Sequence, residues 1–321
     1  MRRRPYRDLS RVAGHLGALQ GVFQINRPLP RRLTAALGGA AAVWAIAGAA
    51  SAEVTLYLQF QDRDVARMVS LGGSCSRCEL SGRDLTGAAF TGANFLNATL
   101  VGANLRGAEL VGSNFSGSDF SRADLSGAEM VGANFTGANF TSANLSGVEA
   151  IGATLVRARF ASANLTGAEL NGANLNGAVL TNASLSGVEA NGATLANVSA
   201  RSANFTGAEI AMSNLSNGDF RNVDFRGATL NGARLTGGQF TGANFSDVEF
   251  NRTDIRGTNL VGARGLNQDQ IGRACGDAST RLPGGLTARA CRGVTLRIET
   301  PRPPAPPVPP RSRNFMVASG N

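Results

Sequence analysis

A large apolar residue returns at every fifth position from Leu80 to Leu260, through Leu85, Phe90, Phe95, Leu100 and onward. The register has 37 positions: 18 Leu, 13 Phe, two Ile, one Met and three Ala, so 34 are large and apolar. A period of five fits neither an α-helix, which repeats at about 3.6 residues, nor a strand, which alternates. A pattern this long and regular points to a solenoid, in which each short unit buries its apolar residues only against its neighbours.

Each large apolar residue is the centre of a unit. The residue two before it is Ala in 23 of 37 cases, and the residue two after it is Gly in 24 and Asn in five. Gly and Asn accept a positive φ at little steric cost, so that position reads as a corner. On this pattern the many glycines are corners, not a phosphate-binding loop. The number of sides per turn follows from which centres resemble each other. Leu85, Leu105, Leu125, Leu145, Leu165 and Leu185 are followed by Phe205, Phe225 and Phe245, while Phe95, Phe115 and Phe135 are followed by Leu155 to Leu235 at steps of 20. Like follows like at 20 residues, so four five-residue sides make one turn. The stretch LSGVEAIGATL at Leu145 recurs as LSGVEANGATL at Leu185, two turns later. At the inter-strand spacing of about 4.8 Å, nine or so turns make a rod roughly 40–45 Å long.

Units such as TGANF, TGAEL and RGTNL resemble the A-(D/N)-L-x-x signature of pentapeptide-repeat proteins, over about Cys78–Gly262. The resemblance implies an all-β fold: a right-handed quadrilateral parallel β-helix, with short N- and C-terminal caps. Departures are local. Ala150, Ala190 and Ala200 are small centres, and Arg83 occupies a normally small inward position. By cavity logic these predict narrow or loosely packed spots.

Residues 1–52 read as a signal peptide. Eight arginines precede an Ala-rich apolar stretch, Leu33–Gly48, and Ala50-Ser51-Ala52 is an A-x-A cleavage site, so the mature chain would begin at Glu53. The alternative is a retained anchor, although the stretch is weakly hydrophobic and interrupted by glycine. Arg31-Arg32 leaves the export route open between general secretory and twin-arginine. On this reading the protein is periplasmic or extracellular and keeps no stable membrane anchor.

Residues 53–77 read as an N-terminal cap, with Val54, Leu56, Leu58 and Phe60 alternating as in a strand and Asp64–Leu71 as a short helix. The repeat spans 78–263. Residues 264–299 read as a C-terminal cap, with Asn267 capping a short helix through Ala274 and Pro283-Gly284-Gly285 as a turn. An open coil end exposes apolar ladder and unpaired backbone, hence the need for caps. Residues 300–321 hold seven prolines and read as a disordered or polyproline-II tail.

The net charge of +9 does not argue for nucleic-acid binding. Residues 1–52 carry +7 and residues 264–321 carry +6, whereas 53–263 hold 14 Arg against 18 acids. The basic character belongs to the leader and the tail.

Four cysteines form two pairs. Cys75 and Cys78 make a C-x-x-C at the first turn, and Cys275 and Cys291 lie in the C-terminal cap. A shared zinc site is disfavoured because the pairs fall at opposite ends of the rod. An exported chain favours disulfides, Cys275–Cys291 first. Cys75–Cys78 could instead be redox-active, but it lacks a thioredoxin-like βαβ context.

Absences bound the chemistry. The one His, His15, lies in the leader, and there is no Lys. The mature chain then has no Ser-His-Asp or Cys-His arrangement, no Schiff-base lysine, no P-loop lysine and no His-ligated zinc. The reading is a non-enzyme without cofactor or metal, acting as a scaffold or binding rod toward an unidentified protein partner or envelope component. One outward set stands apart: Glu109, Glu129, Glu149, Glu169, Glu189 and Glu209 recur at 20 residues and would stack as an anionic stripe. No arginine occupies the positions flanking it between Ser126 and Gly192. The stripe reads either as a site for a cationic partner or divalent cations, or as a solvated face copied along by duplication. The neighbouring Asn94, Asn114, Asn134, Asn174 and Asn214 read as a structural spine. The family resemblance implies a second function, in which a DNA-mimicking rod binds DNA gyrase or topoisomerase. A cytoplasmic target and a rod of −4 fit that poorly.

Overall fold

The computed structural model describes residues 73–291. The leader, most of the N-terminal cap with its strand and helix, the end of the C-terminal cap and the proline-rich tail lie outside the described residues.

Every corner position from Gly82 to Gly262 has a positive φ, between 54° and 73°. This includes residues that pay for it, such as Arg122, Ser142, Arg157 and Met212. The bend is therefore set by the coil as a whole. Most corners are β-turns closed by a backbone bond, as where Ala88 N–H donates to Leu85 C=O at 3.0 Å.

Between corners, the residue before each centre pairs in parallel with the residue 20 later, from Glu79↔Thr99 to Asn244↔Arg264. Twenty residues make a turn, and four five-residue sides make the twenty. Successive turns are joined at each side by bonds such as Leu85 N–H to Asn104 C=O (2.7 Å), Gly87 N–H to Arg106 C=O (2.9 Å) and Asn104 N–H to Arg83 C=O (2.9 Å). These bonds satisfy backbone that would otherwise be buried unpaired. The protein is a solenoid β-helix.

All 37 centres are buried, and the positions two before them line the same core. Phe rings stack from turn to turn: Phe120 on Phe140 and Phe140 on Phe160, each at 5.0 Å between centroids, and Phe205 on Phe225 at 5.2 Å. Near-parallel offset stacking follows from equal register on equal sides. Where Ser or Thr replaces the inward Ala, its hydroxyl donates to a core-facing carbonyl, as Ser118 does to Phe95 (2.8 Å) and Thr253 to Leu230 (2.8 Å).

Two sequence expectations change. The small centres Ala150, Ala190 and Ala200 are each preceded two residues earlier by a buried Val (Val148, Val188, Val198), which returns part of the missing volume. Not every glycine of the repeat is a corner. Gly218 and Gly238 occupy inward positions, and a Cβ there would run into the rings of Phe220 and Phe240. Arg83 is half-buried.

The coil does not stop where the five-residue period does. A short helix, α1 (Gln268–Arg273), is capped by Asn267 in a capping box with Gln270. Gln270 Nε2 also donates to Val248 C=O at 3.0 Å, and Arg252 N–H donates to Arg273 C=O, so α1 covers the side that runs from Val248 to Arg252. Pairing then resumes out of register, Asp254↔Cys275 and Asn259↔Arg281. Two short strands, β1 (Cys275–Gly276) and β2 (Arg289–Ala290), pair in parallel. Ile271 and Ala274 are buried in the continuous core, and Leu282 and Leu286 pack against it. Among the described residues no helix is long and apolar enough to cross a membrane.

Candidate functional site

Four columns of outward residues run along the coil, one per side, each made by the residue before the centre. Three of them bond to the coil itself. Asn104 Nδ2 donates to Asp84 Oδ1 (3.1 Å), Asn114 to Asn94 (3.0 Å) and Asn139 to Asp119 (3.0 Å), linking successive turns. The same side-chain oxygens accept from the corner two residues on, as Asn114 Oδ1 does from Ser116 N–H (3.1 Å) and Ser116 Oγ (2.7 Å). This is the Asx turn. The Asn column is thus part of the frame.

The fourth column is the glutamate column, paired backbone to backbone from Glu109↔Glu129 through Glu189↔Glu209. Among the described residues, the carboxylates of Glu109, Glu129, Glu149, Glu169 and Glu189 form no hydrogen bond or ion pair. Glu209 has one long contact, from Asn191 Nδ2 at 3.5 Å. Five of the six are exposed and Glu169 is half-buried. Partial burial, then the charges of Glu149 and Glu189, push the Glu169 carboxyl above its ordinary 4.5. One flank of the column is hydroxyl-bearing (Ser126, Ser146, Thr166), and the other carries Val111, Val131 and Ile151 on successive turns, Ile151 being 40% exposed.

Toward the C-terminus the charges are instead paired. Arg221 forks onto Asp219 (2.8 and 2.9 Å), with Arg201 on the same carboxylate, and Arg256 forks onto Asp254 (2.9 and 2.6 Å). These guanidiniums hold both carboxyls below their ordinary range.

The cysteines of each predicted pair lie together. Their Cα atoms are 5.7 Å apart for Cys75 and Cys78 and 4.6 Å for Cys275 and Cys291, within reach of a disulfide. The two pairs belong to opposite ends of the coil. Cys291 Sγ comes to 3.8 Å from Asp254 Oδ1. Asp254, Cys275 and Cys291 have the donor types of a metal set, but only when the sulfurs are not joined to each other.

A pocket of about 310 Å³ lies on the corner column Ser216, Thr236 and Arg256, completed by Asn217 and Arg234. Sequence reasoning missed it. The available signal was Arg234, which breaks a column that holds Asn at 94, 114, 134, 174 and 214.

The pentapeptide-repeat family model matches residues 78–262 in overlapping copies. Among solved structures, HetL, a pentapeptide repeat protein involved in heterocyst differentiation regulation from the cyanobacterium Nostoc sp., is 26% identical, with 69% of this chain and 99% of that chain covered and a TM-score of 0.49. QnrB1, a plasmid-mediated fluoroquinolone resistance protein, is 22% identical over 64% of this chain and 93% of its own, with a TM-score of 0.38. A pentapeptide repeat protein from the Arabidopsis thaliana thylakoid lumen is 33% identical over 33% of this chain and 70% of its own, with a TM-score of 0.26. No curated protein matches the chain. Membership rests on the repeat match and the 20-residue pairing, and not on these superpositions: the chain belongs to the pentapeptide-repeat family.

Proposed function

We propose that this chain is an exported, non-catalytic β-helical rod that binds a protein partner through the glutamate column. The observation that carries the reading is a contrast of side chains: Asp and Asn of the other three columns bond to the coil, whereas the carboxylates of Glu109–Glu189 make no internal bond. Charges left out of the frame and set 20 residues apart cost mutual repulsion without adding to the fold. Beside them, Val111, Val131 and Ile151 add a narrow apolar strip. The partner that fits is a protein surface with basic residues beside aliphatic ones, positioned by charge and held by the apolar edge.

Export to the periplasm or beyond rests on the leader pattern of residues 1–52, and two cystines, Cys75–Cys78 and Cys275–Cys291, go with it. The coil hand is taken as right-handed, as the family resemblance implies. No enzyme activity is assigned, because the chain after residue 52 has neither His nor Lys.

Cell fractionation with sequencing of the purified N-terminus tests export. A start at Glu53 outside the cytoplasm with all cysteines oxidised supports it; an intact leader in the cytosol with free thiols overturns it and brings forward the gyrase-binding alternative. Site-specific crosslinking from Ser146 then tests the face. A crosslinked protein that is lost in Glu129→Gln/Glu149→Gln/Glu169→Gln supports the column; one that is retained places the binding surface elsewhere.

A further inference from the structure

The corner column that contains Ser216 and Thr236 has a rule elsewhere in the coil. Its hydroxyl residues are satisfied by the Asx residue two before them: Ser116 Oγ donates to Asn114 and Thr136 Oγ1 to Asn134, both at 2.7 Å. At Thr236 the residue two before is Arg234, whose side chain accepts nothing, and Thr236 Oγ1 is buried without a partner. One turn earlier Asn214 accepts Ser216 N–H at 3.1 Å, but Ser216 Oγ is likewise buried and unpaired. They are the two unpartnered buried side-chain polar atoms among the described residues, and both residues line the same pocket of about 310 Å³. A buried hydroxyl without a partner is costly, so two in one pocket call for an explanation.

The rest of the lining supplies donors. Arg234 is exposed and its guanidinium forms no hydrogen bond or ion pair among the described residues, although it lies near enough to Asp254 to lower its carboxyl pKa. Arg256 forks onto Asp254, feels Asp277 and still borders the pocket. Asn217 adds an amide. No carboxylate lines the pocket. Two guanidiniums and an amide present donors to a ligand that supplies only acceptors, and the two hydroxyls, closed to solvent as they stand, reach it by turning about χ1. The volume sits at the low end for small-ligand pockets.

We propose that the Ser216–Asn217–Arg234–Thr236–Arg256 pocket binds a tetrahedral oxyanion, phosphate or sulfate, with Arg234 as the principal charge and the Ser216 and Thr236 hydroxyls, turned outward on binding, as its hydrogen-bonding partners. The site is separate from the glutamate column and does not depend on how that column is used. Guanidinium recognises such oxygens in a fork, and buried hydroxyls fix the anion's orientation.

The test is titration of the full-length purified chain with inorganic phosphate and, in parallel, sodium sulfate, followed by amide NMR shifts at constant ionic strength. Saturable shifts at Asn217, Thr236 and Gly237 are expected, weakened roughly tenfold or more in Arg234→Gln. Thr236→Val should weaken binding too, while Arg106→Gln in an early turn should not change it. Circular dichroism and melting of each variant separate loss of binding from loss of fold. Saturation by phosphate alone, or by sulfate alone, identifies which oxyanion the pocket takes. Non-saturating shifts, or saturable shifts unchanged in Arg234→Gln, overturn the proposal.

Discussion

A methyl group placed on Gly238 would lie 2.6 Å from Cε2 of Phe240, because the ring has swung into the space that Ala occupies in most units. Gly218 and Phe220 repeat the relationship one turn earlier, and the two rings stack at 4.8 Å. One turn before that, Val198 precedes the small centre Ala200. In these three successive turns the two inward positions share volume, Val with Ala and then Gly with Phe, although Phe elsewhere follows Ala, as at Ala138–Phe140, or Val, as at Val223–Phe225. Close-packed interiors tolerate neither voids nor excess, so where the ring turns back over the earlier position that position is Gly.

Gly238→Ala should destabilise the chain by about 1–3 kcal/mol through overpacking. Adding Phe240→Leu should recover most of that loss, by restoring the commonest pairing. Urea denaturation of the single and double variants checks it. Strictly additive effects would show that the two positions do not share volume.

The Val–Ala pairs give the mirror experiment. Val188→Ala should cost about 2 kcal/mol by leaving a cavity, and Ala190→Leu about 1–3 kcal/mol by crowding Val188. The double variant should lie close to wild type. Melting temperatures that fall further in the double variant than in either single one contradict the exchange.

Much of this is readable without coordinates. The five-residue period and the 20-residue likeness of Leu185 to Leu165 specify sides, turns and core. Asn267 before an amphipathic stretch announces α1, and Asn114 beside Ser116 announces a corner bond. What escapes is relational. Gly238 reads as one more corner until its place two before Phe240 is noticed. The glutamates stand out by recurrence, but their lack of partners depends on side-chain conformation, since Glu79 accepts from Ser81 N–H (2.9 Å) and Glu249 from Asn231 (2.6 Å). The pocket needs both the Arg234 substitution and the unpaired rotamer of Ser216, and only the first is a matter of sequence.

Met212 is the most exposed large apolar residue described, at 75%, and it sits on a corner with φ 58°. A side chain there costs about 1–2 kcal/mol relative to the right-handed region. Glycine would remove that strain, and its greater freedom when unfolded takes back about 0.5–1 kcal/mol. Met212→Gly should therefore stabilise the chain by about 0.5 kcal/mol, whereas Met212→Val, β-branched, should destabilise it. A lower melting temperature in Met212→Gly would mean that the side chain makes a contact worth more than the strain.

Glu169 has its carboxyl pushed above the ordinary 4.5, chiefly by partial burial and then by Glu149 and Glu189. The fold thus prefers the protonated form more than the unfolded chain does. That preference favours the folded state below the ordinary value and is lost as pH rises through the raised one. Glu169→Gln should be at least as stable as wild type near neutral pH, by on the order of a few tenths of a kcal/mol given its exposure, and the difference should vanish in acid. High salt should shrink it. A variant less stable than wild type at neutral pH would show that Glu169 has a stabilising partner.

Asp277 has the opposite sign. Its carboxyl is held down to about 2 by the Ser279 hydroxyl (2.6 Å), Gly257 N–H (3.1 Å) and the Thr280 hydroxyl (3.1 Å), so one oxygen ties the C-terminal segment to the last regular turn. The unfolded chain protonates this group near 3.8. The stabilisation is thus present above that value and is lost as pH falls through about 2. The carboxyl ¹³C resonance of Asp277 should titrate near the lower figure. Asp277→Asn should keep the two hydroxyl contacts only in part, and should speed hydrogen exchange at Gly257 at neutral pH, where the charged oxygen otherwise protects that amide. A midpoint near 3.8, or unchanged Gly257 exchange in Asp277→Asn, would mean that α1 and β1 hold the end of the coil without this carboxylate.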